Sequence, residues 1–358
     1  MRGTTLHLLL PFSLPDDASL WQALAVPALS RLLARARLGE ALNGEDYQRA
    51  LGHERWLAER YGLDNAVSAP FAPYMLLDDG GTAQPGSRWA CIEPVHIEVA
   101  HDHLSLVHPA ALALDAQEAR ALFEAALPSF EADGLAVQPA APGRWYLSAP
   151  AESALARLVA ASPDKAAGRS VDLWLPHDSA DGKRARAWMR LQNEIQMVWH
   201  DHAVNAQRAA RRAPSVNSVW LHGLGEMRAL ARPFDAVRAA QAATRGLGRA
   251  SGATVDAAPS DYAALDASLP DAAGSVLVEC DDARAPTLAQ DAYGWREAMV
   301  ALEARWFAPA LEALAAGQLG GLELILAGDT QSRAFHIGRG DLRRFWRRRT
   351  LASSVGAA

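Results

Sequence analysis

The sequence predicts an α/β protein: a mainly parallel sheet flanked by helices, with a smaller α+β domain inserted into it. Three observations carry this. A mostly apolar run, Thr4–Leu10, opens the chain; strand-like and helix-like segments alternate from about residue 218 onward; and hairpins replace that alternation from about residue 89. An apolar run stopped by Pro needs cover on both faces, as strands of a parallel sheet have. Regular β/α alternation belongs to such a sheet, whereas hairpin, helix, hairpin, helix is an α+β pattern. The expected division is residues 1–88 with 188–358 as the α/β core and 89–187 as the insert. With 358 residues, half of them hydrophobic, the chain is long enough for two domains.

Taken in order, Thr4–Leu10 is the first strand, ended by Pro11. Leu29, Leu32 and Leu33 share one helical face, and a second amphipathic helix runs from about Tyr47 to Arg60, stopped by Gly62. Turn residues gather without apolar periodicity from Asp79 to Ser87, marking a boundary. Val95–Val99 and Leu104–Val107 alternate around His101-Asp102-His103 as a hairpin. Asp115 can cap a helix through Leu127; Gly134–Gln138 and Arg144–Ser148 form a second strand pair, and Glu152–Ala160 a short helix. The longest helix spans about Lys183 to Arg212, limited by Pro214. Strand Ser218–Leu221, helix Phe234–Leu247, strands Ala253–Asp256 and Ser275–Cys280, helix Ala289–Ala316 and strand Leu322–Ala327 complete the core. In such sheets ligands bind beyond the carboxyl ends of the strands, here Leu10-Pro11, His222-Gly223, Cys280-Asp281 and Gly328-Asp329.

The net charge of -6 argues against a general nucleic-acid binder. The local exception is a basic tail of Arg339, Arg343, Arg344, Arg347, Arg348 and Arg349, either a solvated helix face or a contact for phosphate or an acidic partner. Leu6–Leu10 is too short to span a bilayer and lacks the flanks of a signal peptide, so no membrane partner is expected and the cytoplasm is the expected location. Cys91 and Cys280 lie far apart, with no CxxC spacing and no His at zinc-site distance in the sequence, so neither a disulfide framework nor a structural zinc is expected.

Leu191-Gln192-Asn193-Glu194, then His200-Asp201-His202-Ala203-Val204-Asn205, Arg208 and Val216-Asn217-Ser218 resemble a stretch of the archaeal-type cofactor-independent phosphoglycerate mutases. There an Asn-Glu helix precedes His-Pro-Val-Asn, an Arg, and an Ala-Asn before a strand. Arg245-Gly246-Leu247-Gly248 with Gly252, and Ser260-Asp261-Tyr262, are similar to that family's Lys-Gly-Ile and Thr-Asp-Tyr segments. The Val95-His96-Ile97 strand and the His-Asp-His-x-Val-Asn segment look closest to the bacterial RpfE-type regulatory group.

The resemblance implies an alkaline-phosphatase-like core in which two divalent metals flank a serine nucleophile, neutralising phosphoryl charge and lowering the serine's pKa. The family's motif residues are only partly matched. Its first strand ends in an Asp ligand, where this chain has Pro11 and Phe12; its Ser-Asp pair corresponds to Leu63-Asp64, with Ser68 nearby. Glu279-Cys280-Asp281-Asp282 keeps carboxylates but has Ala285 and Pro286 where a His belongs; Asp329-Thr330-Gln331-Ser332 keeps the Asp without its His; His336 matches a final His.

Asp281, Asp282, Asp329 and His336 thus remain as a partial ligand set for at most one divalent cation, Mn or Zn, with Asp64 and Ser68 as candidate catalytic groups. The two readings are a catalytically degenerate binding or regulatory protein, with a protein partner or a small phosphorylated or anionic ligand, and an active metal-dependent mutase or phosphatase with non-standard ligands that include Asp291. His200, His202, Asn205, Arg208 and Asn217 are candidates for an anion site at the domain interface, or for a hydrogen-bond network at a helix end.

Among other constellations, His96, His101, His103 and His108 form a candidate metal group whose middle pair is placed on an exposed turn, and Glu98 and Asp102 read as solvent-facing. Arg144-Trp145-Tyr146 and the tryptophans at 188, 199, 220, 295 and 306 read as packing residues. Gly223-Leu224-Gly225 is too short for a dinucleotide fingerprint.

Overall fold

The computed structural model describes residues 3–64, 67–100, 102–150, 155–179, 185–269, 274–344, 346–347 and 350–355. His101, Arg348, Arg349, the segment 152–154 and Lys183 lie outside them. The strands are β1 (Thr5–Leu14), β2 (Arg37–Leu42), β3 (Ser87–Val99), β4 (Leu104–Val107), β5 (Ala136–Ala141), β6 (Arg144–Pro150), β7 (Leu158–Val159) and β8 (His177–Asp178), followed by β9 (Ser218–Glu226), β10 (Ala236–Arg238), β11 (Thr254–Asp256), β12 (Ser275–Glu279), β13 (Gly321–Gly328) and β14 (Ser332–Ile337). The α-helices are α1 (Pro27–Arg35), α2 (Gly52–Arg60), α3 (Ala72–Asp78), α4 (Ala116–Ala132), α5 (Pro163–Ala166), α6 (Arg186–His200), α7 (Ala203–Ala210), α8 (Ala242–Ala250), α9 (Tyr262–Ser268), α10 (Arg284–Leu288), α11 (Ala292–Leu302), α12 (Ala308–Ala316) and α13 (Leu351–Val355). Among the described residues no helix is long and apolar enough to cross a membrane.

The chain divides into two compact units, Met1–Gly62 with Leu230–Ala358, and Leu63–Ala229. In the first, a seven-stranded sheet runs β11-β10-β12-β1-β13-β14-β2, with β14 antiparallel to both its neighbours, β13 and β2, and the pairs from β11 to β13 parallel. Side chains alternate across it. Leu6, Leu8 and Leu10 of β1 and Val276 and Val278 of β12 join the core formed with Leu29, Leu32, Trp295, Met299 and Leu314. The intervening Leu9, Leu277 and Ile325 are equally buried, so both faces are covered, as a parallel sheet requires. The α/β core is therefore as the alternation predicted.

The second unit holds a separate antiparallel sheet, β4-β3-β6-β5, with β9 also paired to β3. Ala90, Ile92, Trp145, Leu147 and Leu221 line one face and pack with Leu122, Phe130, Trp188 and Trp199 of α4 and α6. This moves the division from the expected 88 and 188 to 62/63 and 229/230. The physical reason is β9. Its apolar sequence fits either sheet, but it pairs with β3 from Val95↔Ser218 to Arg88↔Glu226 and carries α6 and α7 with it.

Several elements differ from the sequence pattern. The segment expected as one helix from Phe234 is β10 followed by α8, since Ala236-Val237-Arg238 is drawn into the sheet between β11 and β12. The expected long helix breaks at Asp201, and His202 caps α7 by accepting from the Val204 N–H at 3.3 Å. The expected helix from Ala289 to Ala316 is α11 and α12 joined by a π-helical turn, Glu303–Phe307. β1 continues past Pro11 to Leu14, with Phe12 in the left-handed region at φ 59°.

Candidate functional site

Beyond the carboxyl ends of β10, β11 and β12 lies a cavity of about 290 Å³ lined by Ala240, Ala258, Pro259, Ser260, Glu279, Cys280, Asp281, Asp282, Arg305 and Trp306. This is where parallel α/β sheets bind ligands, because loops diverge there and helix N-termini converge. β12 fixes the acidic side chains by alternation. Glu279 faces away from the Val276, Val278 and Cys280 side and meets the start of α8, where its carboxylate accepts from the Thr244 hydroxyl at 2.8 Å and the Gln241 N–H at 3.2 Å. Gly248 lets α8 lie this close to the sheet: a Cβ there would meet Val255 at 2.9 Å and Val237 at 3.0 Å.

Asp281 accepts from the Gln241 side-chain amide at 2.5 Å, and Asp282 contacts the Arg305 guanidinium, which also donates to the Ser260 carbonyl at 3.3 Å. Arg305 sits in the π-helical turn, a local widening that often marks functional positions. The same turn presents Glu303 to the Ala28 and Leu29 N–H groups at 2.5 and 3.1 Å, satisfying donors at the start of α1. Burial first, and then the charge of Asp281, push the Glu279 carboxyl up to about 8, against the pull of its bonds to Thr244 and Gln241.

The metal corner that the resemblance implies does not assemble among the described residues. Phe12, 5 % exposed, occupies the carboxyl end of β1 as a member of the core, with its carbonyl accepting from the Trp295 indole at 2.9 Å and its ring 5.4 Å from His53. β1 lies between β12 and β13, so the strands that lead to Asp281-Asp282 and to Asp329 are two strand spacings, about 10 Å, apart. His336 pairs in register with Glu323, near the opposite end of β13, roughly 20 Å of strand from Asp329. Its Nε2 lies 3.6 Å from Glu323, which also contacts His7 and accepts from Arg60 at 3.1 Å. Asp291 caps α11 by accepting from the Gly294 N–H at 2.9 Å. Asp64 is exposed and Ser68 half-buried, both in the opening segment of the second unit. Asp281, Asp282, Asp329 and His336 make no three-ligand group among the described residues, so this donor set does not fit the two-metal centre that the resemblance implies.

The segment 200–217 is a structural staple. Asn205 donates to the Trp199 and Val216 carbonyls at 2.7 and 2.8 Å and accepts from the Val216 N–H at 2.8 Å. Arg208, fully buried, donates to the Pro214 and Leu112 carbonyls and pairs with Glu118 at 2.9 Å. Asn217 accepts from the Ile97 N–H and donates to the Ile97 carbonyl, each at 2.8 Å. His200 is exposed. These donors serve backbone carbonyls and Glu118, so the expected anion site gives way to a network that ties α7 and β9 to α4 and β3. Nor do the described histidines around the β3–β4 hairpin converge: His103 pairs with Asp102, His108 with Asp164, and His96 with Ser215, while His101 lies outside the described residues.

No family model matches the chain, and no curated protein matches it. Among solved structures, it is similar to the PH0037 protein from Pyrococcus horikoshii, with a TM-score of 0.55 and 12% identity over 99% of this chain and 92% of that one. It is also similar to a cofactor-independent phosphoglycerate mutase from Thermoplasma acidophilum DSM 1728, with a TM-score of 0.46 and 17% identity over 100% and 95% of the two chains. The first likeness shows the fold alone, and the second is too loose to carry an argument about chemistry.

Proposed function

We propose that this chain is a catalytically degenerate phosphoglycerate-mutase-like protein with a binding or regulatory role. The observation that carries this reading is the closed carboxyl end of β1. The resemblance calls for a metal-ligating Asp there, and the position is held by Pro11 and the buried Phe12. A buried aromatic ring provides neither charge for a phosphoryl group nor room for a hydrated cation. The partial ligand set supports the same reading, since Asp282 already engages Arg305, Asp281 engages Gln241, and His336 belongs to a different cluster.

The binding role falls to the cavity beyond β12. Asp281, Asp282 and Arg305 line it, so it offers both acceptors and a cationic donor to a small polar ligand. The test is the purified full chain with added Mn²⁺ and 3-phosphoglycerate. The expected result is no formation of 2-phosphoglycerate above a protein-free blank, and no thermal shift with inorganic phosphate. Robust turnover that disappears in Ser68→Ala would overturn the proposal and establish an active enzyme with a non-standard centre.

A further inference from the structure

The second unit holds a group of side chains that its sequence spacing hides. Among the described residues, Cys91, Glu93 and His222 are the three His, Cys, Asp or Glu side chains whose ligand atoms all lie within 4.8 Å of one another. Their convergence follows from sheet geometry. Cys91 and Glu93, two apart on β3, point to the same face, and His222 on β9 stands directly opposite Cys91. This is the face opposite the apolar one bearing Ala90, Ile92 and Leu221.

A β-bulge aims the imidazole. Between Trp89↔Gly225 and Cys91↔His222, β9 uses one residue more than β3, and Gly223 takes a left-handed φ of 71°. Bulges of this kind bend a strand and redirect the adjacent side chain. Pro70 and Ala72 press against the bulge: a Cβ on Gly225 would lie 2.6 Å from Pro70, and one on Gly223 3.0 Å from the Ala72 nitrogen. Thus Gly223-Leu224-Gly225 holds His222 in place beneath the start of α3.

We propose that Cys91, Glu93 and His222 bind one zinc ion, as a three-ligand site with a fourth position open to solvent or a small ligand. A thiolate, an imidazole and a carboxylate are the donors zinc takes, and three protein ligands leave the tetrahedral position that non-structural zinc sites keep. The soft sulfur selects zinc over magnesium, calcium or manganese. Charge balances too: one thiolate and one carboxylate with a neutral imidazole cancel a dication. His222 Nε2 lies 2.9 Å from Glu93, so the pair is already close enough to share an ion.

The surroundings fit a metal rather than packing alone. A coordinating thiol is deprotonated by the cation that it binds, so Cys91 would enter the site as its thiolate. The neighbouring groups are polar: Tyr146 stands opposite Cys91 on β6 and donates to Asp79 at 2.6 Å, while Arg144 donates to the same carboxylate at 2.5 and 2.8 Å. The Glu93 side chain is 16 % exposed and gives the ion its way in.

The experiment is a zinc titration of the chelator-stripped full chain, read by competition with a chromophoric chelator, and a parallel loading with Co²⁺. One equivalent per chain is expected, with a thiolate-to-cobalt charge-transfer band in the near ultraviolet. Cys91→Ser should abolish the band, and Cys91→Ser and His222→Ala should each weaken zinc binding by at least the roughly 10- to 100-fold that loss of even an outer partner costs. A folded wild-type chain with no stoichiometric zinc or no thiolate band overturns the proposal, and needs no variant to do so. Undiminished zinc binding in both variants also overturns it, by placing the metal elsewhere.

Discussion

At the carboxyl end of β12, each acidic side chain meets a donor from another element: Glu279 meets Thr244, Asp281 meets Gln241, and Asp282 meets Arg305. On the face of β3 and β9, Cys91, Glu93 and His222 converge on one another instead. The first arrangement lies where parallel α/β sheets bind ligands, yet its carboxylates are held by neighbouring side chains. The second lies in an antiparallel sheet where topology makes no such promise, yet it gathers a soft, mixed donor set. Position in a fold tells where a ligand can sit, and the donors present tell which one.

The largest expected effect breaks the staple on the antiparallel side. Arg208→Met removes a fully buried guanidinium and leaves Glu118, among the described residues, with the half-exposed Arg211 as its cationic partner. Breaking a buried pair from one side costs about 3–5 kcal/mol. Urea denaturation followed by tryptophan emission should show a loss of that order. A loss under about 1 kcal/mol would mean that the 200–217 segment is not what holds this unit together.

An intermediate effect probes Glu279. Its carboxyl is raised from 4.5 to about 8 in the folded chain, so the native state binds the proton more tightly than the unfolded one. The stability contributed by this proton is complete below about 4.5 and is lost as pH rises through about 8. Glu279→Gln keeps an acceptor for Thr244 and Gln241 but cannot ionise. Its stability relative to wild type should therefore rise between pH 5 and pH 8, by about 3 kcal/mol. A difference that stays flat across this range would show that Glu279 is not held protonated and that the cavity carries a third negative charge.

The smallest effect is at the rim of the cavity. Asp282→Asn breaks the contact to Arg305, whose side chain is 39% exposed, and should cost about 0.2–1 kcal/mol. Salt titration of the melting temperature should remove the difference between Asp282→Asn and wild type. If the loss is larger and persists at high salt, Asp282 anchors the π-helical turn and the cavity is more rigid than the comparison with the antiparallel sheet implies.

The sequence by itself determined the α/β class, because Thr4–Leu10, Ser275–Cys280 and Leu322–Ala327 are apolar runs that only a sheet covered on both faces can bury, and β1, β12 and β13 are indeed neighbours. It also determined the cap at Asp115, which accepts from the Gln117 and Glu118 N–H groups, since capping depends on residues only two or three apart. Of the four strand ends that the sequence marked for a ligand, Cys280-Asp281 lines the cavity, whereas His222-Gly223 lies on a strand of the antiparallel sheet. What tertiary structure alone decided was which strands pair. Val219 and Leu221 satisfy an apolar pattern in either sheet, and the choice of β3 as partner for β9 drew residues 188–229 out of the expected core. The same pairing set His222, 131 positions along the chain, opposite Cys91. Sequence distance had separated Cys91 from His222 and the resemblance had grouped Asp281, Asp329 and His336, whereas register placed His336 at the far end of its strand. Periodicity records which way a side chain faces, but only the hydrogen-bonded register between distant strands decides what it faces.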